Sequence, residues 1–251
     1  MKTIILLTSL IAVATTAEAQ VLTDGRMIGL NFSGGAGSEA PDPDVDTVDA
    51  GEVTGVVPQA NWNNAQGASG ALTGLVDSTG AATGVDVFFA SNNTWGRNLT
   101  PSPTNDLLSD YLDAGTGTPA NVQFQNVPFS LYDVYIYTRR NENADPNDPT
   151  PADGPGRFSD YTVNGVNVDV LTGDVQNSFV LATSTVIGNY VKFDNVTGAT
   201  LDIFANLDAA NSFRAPVDGV QIVEQIPEPA SLGLLGATLL SLLALRRQRS
   251  V

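Results

Sequence analysis

Trp62 stands among Gln59, Asn61, Asn63, Asn64 and Gln66, and Trp95 among Ser91, Asn92, Asn93 and Arg97. An indole face beside amide side chains suits a sugar, which has an apolar ring face and a rim of hydroxyls. Trp62, Asn63, Asn64 and Trp95 are therefore the candidate ligand-binding residues. The competing reading is that each tryptophan plugs the end of a sheet, and loops rich in Asn and Asp form turns with or without a ligand. Carboxylates offer a second chemistry. Asp42, Asp44, Asp46 and Asp49 follow one another closely, and Glu142, Asp145, Asp148 and Asp153 crowd the Pro-rich stretch 141–155. Such oxygens suit weak Ca²⁺ sites outside the cell. Neither stretch has the D-x-[DN]-x-[DN]-G pattern of an EF-hand loop, so solvated loops are the expectation and no cofactor or resident metal is assigned.

The residue types that are missing narrow the chemistry further. The chain has no His and no Cys. This removes Ser-His-Asp and Cys-His nucleophile systems and all His- or Cys-ligated metal sites. Lys192 sits in Tyr190-Val191-Lys192-Phe193-Asp194, where a period of two puts it on a solvated strand face with Tyr190 and Asp194. No catalytic residue is assigned and enzyme activity is not expected. A glycosidase or lyase built on two carboxylates is the least favoured alternative, because any such pair would have to be assembled from separate loops. The net charge of −16 argues against nucleic acid and anionic lipid as partners of the exported part.

The elements that must carry these residues read as strands. Met27 to Phe32 places Ile28, Leu30 and Phe32 on one side, and Val85 to Phe89 does the same with Val85, Val87 and Phe89, so both are expected to be half-buried. Val122 to Val127, Leu131 to Thr138, Tyr190 to Asp194, Thr200 to Ala205 and Val217 to Val223 follow, separated by clusters of Gly, Pro, Asn and Asp. Asn164-Gly165, between two β-favouring runs, predicts a hairpin with a type I′ turn. Asn105 to Ala114 is the one stretch with helical spacing (Leu107, Leu108, Tyr111 and Leu112), with Asn105 as N-cap. Roughly nine short strands with polar connections predict an all-β fold, an antiparallel β-sandwich or jelly roll, over 20–226.

Both flanks of that segment carry addresses. Lys2, the apolar run Ile4 to Val13, and Ala17-Glu18-Ala19 make 1–19 a signal peptide, cleaved by signal peptidase after Ala19 so that Gln20 becomes the first residue. At the other flank Pro227-Glu228-Pro229 is a stiff extended tripeptide. A 230–245 apolar helix follows, slightly short of the hydrocarbon core and able to span it only marginally, and Arg246, Arg247 and Arg249 form a basic stop held in the cytoplasm. These elements resemble the PEP-CTERM sorting signal of Gram-negative bacteria, covering 227–251. The resemblance implies handling by an exosortase, a membrane enzyme that cuts near the motif. It also implies an intermediate anchored in the inner membrane and delivery to the cell surface or extracellular matrix.

The exported segment is similar to a domain recurring in bacterial surface proteins. The residues that carry the likeness are Asn61-Trp62-Asn63-Asn64, Leu75-Val76-Asp77-Ser78, Gly80 to Val85, Leu131 to Tyr137 and Ala215 to Ile222. The last two stretches are similar to strands of galactose-binding-like jelly rolls, which include many carbohydrate-binding modules. Sorting of this type accompanies exopolysaccharide production in the family that the tail resembles. A surface sandwich associated with extracellular polysaccharide is therefore the first expectation, and a structural surface protein without a specific ligand is the second.

Overall fold

Alternation of apolar and polar residues becomes strand at almost every predicted place, because such a strand buries at least one face. The computed structural model describes residues 25–34, 47–96, 99–114, 118–139, 157–206 and 215–226. In chain order its elements are β1 (Met27–Ser33), β2 (Asn63–Gln66), β3 (Ser69–Leu72), β4 (Asp86–Ala90), β5 (Asn93–Trp95), α1 (Pro103–Asp106), β6 (Tyr111–Asp113), β7 (Ala120–Gln125), β8 (Tyr132–Tyr137), β9 (Arg157–Val163), β10 (Val166–Thr172), β11 (Tyr190–Val196), β12 (Leu201–Asn206) and β13 (Gly219–Glu224). One sheet has the order β11-β8-β13-β1-β2 and the other β10-β9-β12-β7-β4-β3, with β5 and β6 paired separately. The pairings are antiparallel except β1 with β2, so the architecture is a β-sandwich.

The core lies between the two sheets. Ile28, Leu30, Phe32, Val134, Ile136, Val220 and Ile222 project from the five-stranded sheet, and Val87, Phe89, Val122, Phe124, Tyr161 and Ile203 from the six-stranded one. Phe32 meets Phe89 edge to face at 5.3 Å, a contact worth about 1 kcal/mol beyond the area it buries. The Asn164-Gly165 turn forms as predicted. Both residues take positive φ, 46° and 83°, and Val166 pairs with Val163 across them.

Three expectations change. The stretch from Asn105 to Ala114 is not a helix. Ser102, not Asn105, is the N-cap, Pro103 follows it, and the helix ends after one turn at Asp106. Leu107, Leu108 and Leu112 are fully buried, but across a turn and a strand. β1 is buried on both faces, not half-buried. Its second face lies under the segment 47–62 and the Leu107-Leu108 turn, which build a smaller core of Met27, Val48, Trp62, Leu107, Leu108, Tyr135, Tyr137 and Val223. The strands also outnumber the nine expected, since β2, β3, β5 and β6 are too short to show a period.

Candidate ligand-binding face

Trp62 belongs to that smaller core. It is 5% exposed, lies edge-on to Tyr137 at 5.8 Å, and donates from Nε1 to the Gln59 carbonyl at 3.2 Å. It rests on β1 at Gly29, where a Cβ would come within 2.6 Å of the indole. Its ring faces are therefore spent on packing, which corrects its reading as a sugar platform. Asn63 is committed as well, donating to the carbonyls of Gly29 and Val76 and accepting from the Val76 N–H. Asn64 donates to the Val48 carbonyl and accepts from Val48 N and Asn31 Nδ2. Both are joints that hold 47–62 and 75–76 onto the sheet. Trp95 is half-buried in β5, opposite Tyr111 of β6, on a different element from Trp62.

Lys192 is 30% exposed. Its ammonium bridges Asp133 at 2.9 Å and Asp194, and lies 5.4 Å from the Tyr135 ring centre. Partial burial opposes the charge, but the hydrogen bonds to Asp194 and Asp133 outweigh it and hold the pKa above the usual lysine range. This is a paired strand-face lysine. Ala17, Ala19 and Gln20, the acidic runs 42–46 and 142–153, the motif Pro227-Glu228-Pro229, the span 230–245 and Arg246, Arg247 and Arg249 lie outside the described residues. Among the described residues no group of three or more acids is arranged to hold a metal, and no helix is long and apolar enough to cross a membrane.

One carboxyl is unusual. Asp106 is 4% exposed, and burial together with the nearby Glu52 and Asp49 carboxylates raises its pKa to about 6, against the pull of a hydrogen bond from Ser102 N.

The outer face of the five-stranded sheet is covered, whereas that of the six-stranded sheet is open. Between the buried Val87 and Phe89, Phe88 turns outward at 43% exposure. Phe204, between the buried Ile203 and Ala205, and Phe158, beside the buried Ser159, take the same side of their strands and are half-buried. Register fixes the layout. Phe88 is opposite Gln123, which is opposite Asp202, and the adjoining row runs Ala90, Asn121, Phe204, Thr162, Asn167. Phe88 and Phe204 are thus two strands and two residues apart, about 12 Å between Cα atoms from sheet spacings.

The polar side chains of this face are linked. Gln125 donates to Gln123 at 2.7 Å, Gln123 to Asp202 at 2.6 Å, and Asn167 to Asp160 at 2.7 Å. Asn121 is the exception. Its Oδ1 is covered and has no hydrogen-bond partner, at the wall of a shallow groove lined also by Phe88, Ala90 and Gln123. Two aromatic planes separated by amide and carboxylate groups, on a rigid sheet, form the surface that the loop tryptophans do not.

Residues 225–249 match the PEP-CTERM protein-sorting motif. The chain carries this signal, which implies processing by an exosortase and an exported protein held in the membrane before that step. No curated protein matches the chain. A solved structure, protein YxiM from Bacillus subtilis, is similar at 11% identity with a TM-score of 0.36, over 80% of this chain and 42% of that one. The chain thus spans less than half the length of that protein.

Proposed function

We propose that this exosortase-sorted surface protein associates with neutral extracellular polysaccharide through the outer face of its six-stranded sheet. The observation that supports it is the pair Phe88 and Phe204, presented outward on adjacent register rows with Asn121, Gln123 and Asp202 between them. A pyranose ring stacks its apolar C–H face on such a ring, and its hydroxyls take the amide and carboxylate positions. A flat sheet accommodates an extended, unbranched chain better than a compact sugar. The negative charge of the protein disfavours polyanionic glycans.

The test is affinity electrophoresis of the segment from Gln20 to Ile226 in gels containing neutral polysaccharides. Phe88→Ala is expected to abolish retardation while moving the thermal midpoint little, because the ring is 43% exposed. Undiminished retardation of the double variant Phe88→Ala, Phe204→Ala would rule the face out.

A further inference from the structure

We infer that the end of the sandwich nearest the sorting motif is a docking surface for the membrane-embedded sorting enzyme, centred on the cleft between β10 and β11. This rests on the sorting motif and is independent of the polysaccharide reading. The chain stays fixed to the sandwich almost up to the motif. Glu224 still pairs with Tyr132, its backbone N–H donates to the Arg26 carbonyl at 3.0 Å, and its carboxylate lies 3.5 Å from Arg26 Nε. Gln225 then donates to the Leu131 carbonyl from its backbone and to Asp133 from its side chain. Ile226 follows, 48% exposed, and Pro227 is next. Two residues reach at most about 7 Å, so an enzyme that grips Pro227-Glu228-Pro229 must lie against this end of the domain.

What it meets there is an opening. Glu224 is opposite Tyr132, and Tyr132 opposite Val196, so the end of β11 is about 10 Å from the end of β13. Between β11 and the start of β10 lies a cleft of about 420 Å³, with Val163, Val166, Val168, Phe193 and Val196 as its apolar lining and Asn164, Asn195 and the Lys192–Asp194 ion pair beside them. That volume falls in the range of ordinary binding pockets. β10 and β11 are the outermost strands of their sheets on this side. Farther along, 180–188 seals the same gap through bonds of Leu171 with Thr183 and Gly188, and of Tyr190 with Val180 and Ala182. Over the cleft no described residue does so, and Val166 stands 61% exposed at its rim. A mixed lining, apolar at Val163, Val166, Val168, Phe193 and Val196 and polar at Asn164, Lys192, Asp194 and Asn195, together with two strand edges fits an extended amphipathic segment of a protein partner. The two-residue reach from Gln225 to Pro227 makes that partner the sorting enzyme, rather than a second copy or the lipid surface.

The experiment places a photo-crosslinking amino acid at Val166, at Asn92 on the opposite end, or at Leu234 in the span, in the full chain coexpressed with a tagged exosortase. Adducts of enzyme mass are expected from 166 and 234 and not from 92. In parallel, Val166→Asp is expected to leave the thermal midpoint unchanged and to slow conversion of precursor several-fold in pulse-chase. An enzyme adduct at 234 with none at 166 would overturn the docking surface while leaving the sorting reading intact, and no adduct at 234 would overturn both. Adducts at 166 to lipid or to a second copy would also overturn it, as would equal capture at 92 and 166.

Discussion

Trp62, 5% exposed, and Phe88, 43% exposed, show how burial separates an aromatic residue spent on packing from one left at the surface. Trp62 is enclosed by Gly29, Tyr137 and its own Gln59 carbonyl, so Trp62→Ala is expected to cost about 3–5 kcal/mol. The folded fraction of that variant should bind polysaccharide as the wild type does, and a stable variant that loses retention would restore the loop site. Asp106 carries a pH signature. Its pKa of about 6 in the folded chain stands above the ordinary carboxylate value of about 3.9, so between these pH values the folded state holds a proton that the unfolded state has lost. Its contribution is therefore most favourable below about pH 4 and declines as pH rises through about 6, by on the order of 3 kcal/mol. Asp106→Asn keeps the acceptor for Ser102 N and removes the titration. Thermal midpoints from pH 4 to 8 should show the variant gaining on the wild type as pH rises, and parallel curves would refute the assignment.

The hairpin of β9 and β10 tests the reading of elements from sequence. Gly165 has φ 83° and no atom close to where a Cβ would sit, so Gly165→Ala should cost roughly 1–2 kcal/mol through backbone strain alone. A neutral result in chemical denaturation would show that the turn relaxes. Such local signals were legible. Asn-Gly is a two-residue code, and Val122 to Val127 alternates because one face of β7 is buried and the other solvated. The double burial of β1 was not legible, because what covers Met27, Gly29 and Asn31 comes from 47–62, tethered by Gln221, Tyr137 and Asn64. The one-turn helix was misplaced because Leu107, Leu108 and Leu112 satisfy helical spacing by accident, while its real start signal, Ser102-Pro103, lies just upstream. The open face was the hardest to see. Phe88 and Phe204 are ordinary strand aromatics in sequence, and only the order β4-β7-β12 brings them onto one surface.

At the scale of the whole molecule, the two sheets divide the work through what covers them. The five-stranded sheet spends its outer face on a second core, which leaves the six-stranded sheet as the exposed plane. The motif-side end lies across the strand ends, so the plane does not face the end at which the chain runs on toward Pro227. Charge then limits which glycan. With a net charge of −16, attraction to a polyanion would need bridging cations, whereas the proposed stacking on Phe88 and Phe204 and bonds to Asn121 and Gln123 would be nearly indifferent to ionic strength. Retention on a neutral polysaccharide is therefore expected to change little as salt is raised from about 0.05 M to about 1 M, a range over which the screening length shortens several-fold. It should also survive a chelator. A steep loss with salt or with chelator would move the interaction from the open sheet face to cation bridging by carboxylates such as Asp42, Asp44, Asp46 and Asp49, and would make the partner an acidic polymer.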